Sequence, residues 1–418
     1  MQHETQVRVI SELLRQLEVD RNIDAGRQLR VPASAYTCKD LAAEEWQAFF
    51  RSRPQVIGLS GDLPGPGSFV TVDDFGVNVL ATRAEDGKFR AFVNACRHRG
   101  VQVAQEPHGD ATRFQCPFHH WTYSNRGELL GVPRTKDFGD IDRACHSLIP
   151  LPAEEFAGLL WVHPQADATL DVQAELGELG PELQSWGMDK LELGGRNMID
   201  KALNWKLAND TFGETYHFKR LHPETLGRLL IGDATSHEVF GRHHRFAFPF
   251  RTIGEMRDKP ESEWRIGRAV SVFYYLFPNV QMNVGPRHVT LVRIYPHPEG
   301  PGRSVSRISH YFRPTPADFV ADPDRQVLDA NNVYDTTLRK GRVQLSPAAS
   351  MEVFDSTVEQ EDYVMGESIQ AVAESGSMPE FIFGRNEAPL HHFHNTFRSE
   401  LGLPPLEVVR EGGSTTAR

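Results

Sequence analysis

Cys96-Arg97-His98-Arg99-Gly100 and Cys116-Pro117-Phe118-His119-His120-Trp121-Thr122-Tyr123 are the two runs from which the rest of the chain can be read. Each brings one thiol and one imidazole, first as C-x-H and then as C-x2-H, with seventeen residues between the pairs. Two thiolates and two imidazoles are the donor set of a two-iron, two-sulfur cluster in which histidines replace cysteines on one iron. That replacement raises the potential above that of all-thiolate clusters. Cys2His2 also suits Zn²⁺, but zinc pairs usually bring cysteines about two to four residues apart and histidines about three to five apart. Here each run supplies one of each, which favours the cluster. Cys38 and Cys145 have no such neighbours and are read as packing residues or as residues with no special role.

Around these runs, from about Val56 to Val162, the sequence consists of short apolar or alternating segments cut by turn residues. Asp86-Gly87 separates Val77–Thr82 from Phe89–Val93, and Asn125-Arg126-Gly127 separates Trp121–Tyr123 from Leu129-Leu130. Such turns join antiparallel strands. The expectation is a β domain over residues 46–165 with the two runs in its loops. Before it, Ile10, Leu13, Leu14 and Leu17 recur at spacings of three and four, an amphipathic helix within an N-terminal segment, 1–45, that packs on the catalytic domain. After it, Leu170–Leu193 reads as helical, Asn204–Arg220 as a helix ending near Pro223, and Val270–Phe312 as strands. Further helices are expected at Asp324–Leu338 and Met351–Glu374, and a disordered tail at residues 411–418. The fold class is α+β, a β domain followed by a larger domain of antiparallel sheet and helices over residues 166–410.

The larger region carries a second constellation. Asp210, Glu214 and His217 fall at i, i+4 and i+7, on one face of the expected helix, and His222 follows five residues after His217. Two neutral imidazoles and one carboxylate, with open positions left over, form the facial triad of non-haem Fe(II) oxygenases. Val358-Glu359-Gln360-Glu361-Asp362 is the best source of the carboxylate. His391-His392-Phe393-His394 is equally dense in ligand types but matches no motif, so a helix-surface or packing role is expected there.

With 45 Lys and Arg against 56 Asp and Glu, the 418-residue chain carries a net charge of −11. An acidic chain without a basic patch argues against nucleic acid. No apolar run reaches the eighteen or so residues of a membrane span. The polar first residues argue against a secretory leader, so a cytoplasmic enzyme is expected. Neither a Gly-x-Gly-x-x-Gly nor a phosphate-loop motif occurs, so electrons must come from a partner rather than from NAD(P)H bound by those routes.

The Cys96 and Cys116 runs resemble the Rieske loops of the non-haem iron oxygenase α subunits, the aromatic-ring-hydroxylating dioxygenase-like family. Glu214-Thr215-Tyr216-His217 with His222 resembles that family's acid-x-Tyr-His-x4-His motif, and Glu359-Gln360-Glu361-Asp362 resembles its late acidic motif. The resemblance implies a Rieske [2Fe-2S] cluster on Cys96, His98, Cys116 and His119, and a mononuclear Fe(II) on His217, His222 and Asp362, with Glu361 as the fallback. It also implies a helix-grip catalytic domain, a reductase with or without a ferredoxin as electron donor, and a head-to-tail homotrimer. In that trimer Glu214 would bridge a neighbour's His119 and this chain's His217. Many ring-hydroxylating members carry Asp at the Glu214 position and Asn at the Asp210 position, so these two catalytic candidates leave the subfamily open. A third departure is His120, where many members carry glycine.

The expected function is that of a terminal oxygenase that activates O2 to hydroxylate or dihydroxylate an apolar or aromatic substrate. Phe246, Phe248, Phe250, Phe273, Tyr275, Phe277 and Met282 alternate along candidate strands and are pocket candidates. One alternative is an N- or O-demethylase acting on a quaternary amine or aryl ether. A non-enzyme alternative, a hydrophobic-ligand-binding redox sensor, is disfavoured by the complete set of iron ligands.

Overall fold

The computed structural model describes residues 1–314, 325–328 and 342–409, and its chain divides into two compact units. The first unit comprises Glu45–Leu193 with Tyr311–Pro314. Its main sheet has five antiparallel strands in the order Pro150–Leu151, Phe89–Val93, Val79–Arg83, Ser68–Val72 and His108–Asp110. The Asp86-Gly87 turn sets the register of the central pair, Val79 opposite Val93 and Arg83 opposite Phe89. Gly87 sits at φ +73°, the left-handed conformation that suits glycine. A smaller sheet, Arg113–Gln115, Thr122–Ser124 and Leu129–Gly131, carries the second Cys/His run at the start of its middle strand. Phe69, Leu80, Phe92, Phe114, Trp121 and Tyr123 form the core, and Cys96 and Cys116 are buried at its edge.

This unit continues past 165, where the sequence pattern places its end, to Leu193. The helix Val172–Leu176 buries Val172 and Leu176, and Val172 donates its backbone N–H to Glu154 on the strand Ala153–Phe156. Arg313 Nη2 donates to the carbonyl of Trp186 at 2.5 Å. The helical reading of Leu170–Leu193 is also cut short. Gly177 and Gly187, both at positive φ, break it into short pieces, and a strand begins at Glu192.

The second unit comprises Met1–Glu44, Gly194–His310 and the described part of Thr315–Arg418. Its seven-stranded sheet runs in the order Glu192–Lys201, Gly300–Phe312, His288–His297, Val280–Val284, Val270–Leu276, His243–Pro249 and Ser236–Phe240. The helix His3–Glu18 buries Val9, Ile10, Leu13 and Leu14. Gln16 exchanges two 2.8 Å hydrogen bonds with the Thr235 backbone, beside the edge strand Ser236–Phe240. Strand Leu29–Pro32 pairs antiparallel with Glu380–Phe383. Helices Pro347–Thr357 and Tyr363–Ser375 are joined through a π-helical turn, Val358–Asp362. Of the helix expected at Asp324–Leu338, Arg325–Leu328 is instead a strand paired in parallel with Arg342–Leu345, a non-local ladder that overrides the local pattern. The remainder of that stretch and the expected tail at 411–418 lie outside the described residues. Among the described residues no helix is long and apolar enough to cross a membrane.

Candidate metal centres

In the first unit the two Cys/His loops are built alike. The Gly100 N–H closes on the Cys96 carbonyl at 2.9 Å, and the His120 N–H closes on the Cys116 carbonyl at 2.9 Å. Both closing residues have positive φ, +77° at Gly100 and +61° at His120. The left-handed turn explains why glycine suits the position His120 occupies; the imidazole there is exposed and takes no part in the quartet. The thiols are buried and the imidazoles face outward, with the His98 and His119 rings 4.7 Å apart. Trp121 stacks on His98 at 5.3 Å and 9° and fixes its plane. Tyr123 Oη lies 3.4 Å from Cys96 Sγ and accepts the Arg97 N–H at 2.9 Å. A pair of buried sulfur donors and a separate pair of imidazoles fit a cluster of two irons better than a single tetrahedral ion. Cys116→Ala is expected to abolish the visible absorption of such a cluster and about two irons per chain, read by absorption and metal analysis. Cys38 is half-buried, whereas Cys145 is exposed and donates to Asp142 Oδ2 at 3.1 Å, so of the two readings packing does not apply to Cys145.

In the second unit His217, His222 and Asp362 each offer one ligand atom, all within 4.8 Å of one another. His222 Nε2 lies 3.0 Å and His217 Nε2 3.4 Å from Asp362 Oδ1. The outward nitrogens are held by other carboxylates. His217 Nδ1 pairs with Glu214, and His222 Nδ1 is 2.8 Å from Glu361, which also accepts from Thr225 Oγ1 at 3.1 Å. Burial opposes a charge on His217, yet its hydrogen bonds to Asp362 and Glu214 outweigh that cost and carry it up to about 10. Burial likewise opposes the Asp362 carboxylate, and the two imidazoles hold it below its ordinary value. A pocket that prefers to keep positive charge between one carboxylate and two imidazoles fits a divalent cation, and its N2O donor set suits non-haem iron.

The π-helical turn separates the roles of two adjacent acids. Glu361 sits on the outer nitrogen of His222 and Asp362 on the inner one, so Glu361 is not in the ligand position. Outer partners of this kind fix the tautomer and orientation of a ligand. Glu361→Ala is expected to weaken iron binding by about 10- to 100-fold with the cluster untouched, and Glu361→Gln by less, read by chelator competition.

The helical face drawn through Asp210, Glu214 and His217 does not exist. The helix is Trp205–Asp210, and the chain then turns through Gly213, where a Cβ would collide with Leu390. Asp210 is consequently bonded to Tyr36 and His394 rather than to the triad, accepting from Tyr36 Oη at 2.9 Å and from His394 Nε2 at 2.9 and 3.1 Å. His394 is fully buried and His391 nearly so, which fits the packing rather than the helix-surface half of the role expected for that run. Sequence reasoning missed Tyr36 and His394 because their partner lies 174 and 184 residues away.

An 810 Å³ cavity opens beside the triad, lined by Asp210, Glu214, His217, Asp362, Glu387 and the apolar Met365, Ile369, Phe381 and Leu390, among others. Burial, with Glu214 and Asp210 nearby, pushes Glu387 up to about 7. A carboxyl raised on folding loses stability as pH climbs from its ordinary value to the raised one, and the full penalty persists above. Glu387→Gln is therefore expected to stabilise the protein by about 1–3 kcal/mol at pH 8 and hardly at all at pH 4.5, measured by denaturant unfolding. On another side of the triad, Phe218 stands 4.9 Å from His217 and 5.8 Å from His222. Phe248 meets Phe218 edge-on at 5.2 Å and stacks on Phe273 at 5.7 Å, with Phe246 completing the group. None of the seven pocket candidates lines the 810 Å³ cavity: Phe246, Phe248, Phe250 and Phe273 join this packed cluster, and Tyr275, Phe277 and Met282 are buried in the sheet core.

Residues 188–402 match the family model for the ring hydroxylating alpha subunit (catalytic domain), and residues 53–150 match that for the Rieske [2Fe-2S] domain. The chain is 29% identical over 226 residues to the glycine betaine monooxygenase oxygenase subunit of Chromohalobacter salexigens, covering 54% of this chain and 48% of the relative. It is 25% identical over 289 residues to the carnitine monooxygenase oxygenase subunit of Acinetobacter baumannii, covering 67% and 75%. Its match thus spans about half the length of the first relative and three quarters of the second. A crystal structure of a quaternary ammonium Rieske monooxygenase superposes with a TM-score of 0.71 at 20% identity, over 89% of this chain and 95% of that one.

Proposed function

We propose, from the premise that this chain belongs to the ring-hydroxylating α-subunit family of Rieske oxygenases, that it is a terminal oxygenase acting on a quaternary amine. A Rieske [2Fe-2S] domain and a catalytic domain that binds mononuclear iron are characteristic of the family. The observation that carries the reading is the convergence of His217 and His222 on Asp362 while Glu214 and Glu361 occupy the outer nitrogens. In the proposed assignment Cys96, His98, Cys116 and His119 hold the cluster, and His217, His222 and Asp362 hold Fe(II). The bound metals supply one-electron transfer and O2 reduction.

The residues of this chain divide the remaining work. Glu214 and Glu361 keep the imidazoles in the tautomer that presents Nε2 inward. Phe218, Phe246, Phe248 and Phe273 form a packed apolar cluster that excludes water beside the triad. The electrons come from a partner reductase, with or without a ferredoxin. Around the cavity that contains Glu214, Met365, Ile369, Met378 and Ile382 are each at least 40% exposed, an apolar rim suited to a neighbouring subunit. This supports the homotrimer reading, with Glu214 bridging His217 to a neighbour's His119.

The relatives' named substrates favour the quaternary-amine alternative over hydroxylation of an apolar aromatic. Hydroxylating a C–H bond next to the quaternary nitrogen consumes O2, two electrons and two protons and releases water. The hydroxylated cation then loses a proton from its new hydroxyl as the C–N bond breaks, giving a tertiary amine and an aldehyde. The test pairs the protein with a surrogate reductase and scores O2 uptake and aldehyde on glycine betaine, carnitine and γ-butyrobetaine, alongside naphthalene and anthranilate. Aldehyde coupled to O2 uptake on a quaternary amine supports the proposal; diol from an aromatic, with the amines inert, overturns it.

A further inference from the structure

Apart from the triad, one other group of three metal-type donors converges among the described residues, His237, His244 and His392, with one ligand atom from each within 4.8 Å of the others. It shares no residue with either centre described above. His237 and His244 lie on the paired strands Ser236–Phe240 and His243–Pro249. Val239 stands opposite His244, so His237, two residues along, is its diagonal neighbour on the same sheet face. His392 comes from the helix Ala388–Glu400. Ring centroids are 4.9 Å apart for His237 and His244, 5.1 Å for His244 and His392, and 5.9 Å for His237 and His392.

The nitrogens are arranged as ligands rather than as packing. His392 Nε2 is 3.0 Å from the Gly241 carbonyl, which must accept a proton from it. That bond leaves His392 Nδ1 as a lone pair turned inward, 2.9 Å from His244 Nδ1. Holding the outer nitrogen on a carbonyl is the usual support for a metal-bound imidazole. His237 Nε2 is buried without any hydrogen-bond partner. A buried ring nitrogen left unpaired costs about 1–3 kcal/mol, a cost that coordination to a metal ion would remove. Burial first, and mutual repulsion second, hold His237 and His244 below their ordinary values, and burial does the same at His392, so all three are neutral. The cationic neighbour Arg245 is already paired with Glu238.

We propose that His237, His244 and His392 form a second metal site, which takes one late first-row divalent cation of the zinc class. Three imidazoles satisfy Zn²⁺ with a fourth position open for water or an exogenous donor. His392 also lines a 680 Å³ cavity with Arg27, Gly241, Arg242 and Glu400, from which that donor enters. Tetrahedral bonds of about 2.0–2.1 Å place ligand nitrogens about 3.3 Å apart, so the two Nδ1 atoms open by a few tenths of an ångström on binding. The Nδ1 proton that the metal-free His244 donates to His392 moves to His244 Nε2 as the ion enters, with no net proton release.

The site is tested with Zn²⁺ alone on cluster- and iron-loaded protein, titrated against a chromophoric chelator. The expected result is about one Zn²⁺ per chain beyond the iron, falling below about a tenth of an equivalent in His392→Gln and in His237→Asn. Both substitutions keep a polar side chain of similar size, and an unchanged visible cluster spectrum reports that each variant is folded. His217→Ala, with its triad disabled, should keep the extra equivalent, which separates this site from a vacated iron centre. Wild-type protein taking no zinc, or all variants taking the same amount, overturns the proposal.

Discussion

Asp362→Ala is expected to empty the mononuclear centre while leaving the cluster intact. Both inward nitrogens converge on one oxygen of this carboxylate, so its loss removes the anion that His217 and His222 share on their inner side. Removal of mere outer partners weakens such sites by about 10- to 100-fold, and loss of a ligand should cost more. Iron should fall from about three to about two per chain with the visible spectrum unchanged, and substrate oxidation should drop below detection. Retention of full iron in this variant removes Asp362 from the ligand set. Asp362→Glu is the companion variant: it restores the charge but lengthens the side chain, and should recover part of the iron.

Glu214→Gln is the second large effect. Glu214 accepts the His217 backbone N–H at 3.2 Å and pairs with the His217 ring, so it both positions the loop and sits on the outer nitrogen. Glutamine keeps the size and one acceptor but loses the charge. Both metals should stay, with iron binding weakened by no more than about 10- to 100-fold. Turnover should nonetheless collapse, because the proposed bridge to a neighbour's cluster histidine needs an acceptor for two ring N–H groups at once. Stopped-flow reoxidation of the reduced cluster reads this step directly. Wild-type reoxidation rates in Glu214→Gln would refute the bridging role, whatever happens to steady-state activity.

These residues differ in how legible they are in the sequence, for physical reasons. The Cys96 and Cys116 loops are local: each brings its two donors within four residues, and tight turns at Gly100 and His120 close them. The β pattern of the first unit is equally local, since Asp86-Gly87 fixes its own register. The triad is legible as residue types, but its geometry is not. The spacing from Asp210 to His217 mimics a helix face, while the helix actually ends at Asp210 and the chain turns through Gly213, which packs against Leu390. The choice between Glu361 and Asp362 depends on one extra residue in a π-helical turn, which no periodicity in the sequence announces. Asp210 with Tyr36 and His394, and the three-histidine group, are joined by contacts that span 148 to 184 residues each. Only the three-dimensional fold brings them together.

The most direct test of the central claim is a single turnover without any reductase. Protein loaded with cluster and iron is chemically reduced, freed of reductant, and mixed with O2 and a quaternary amine. The account predicts cluster reoxidation with up to about one aldehyde and one tertiary amine per chain, since the cluster and the iron together store the two electrons required. Reoxidation with no product from glycine betaine, carnitine or γ-butyrobetaine would contradict it.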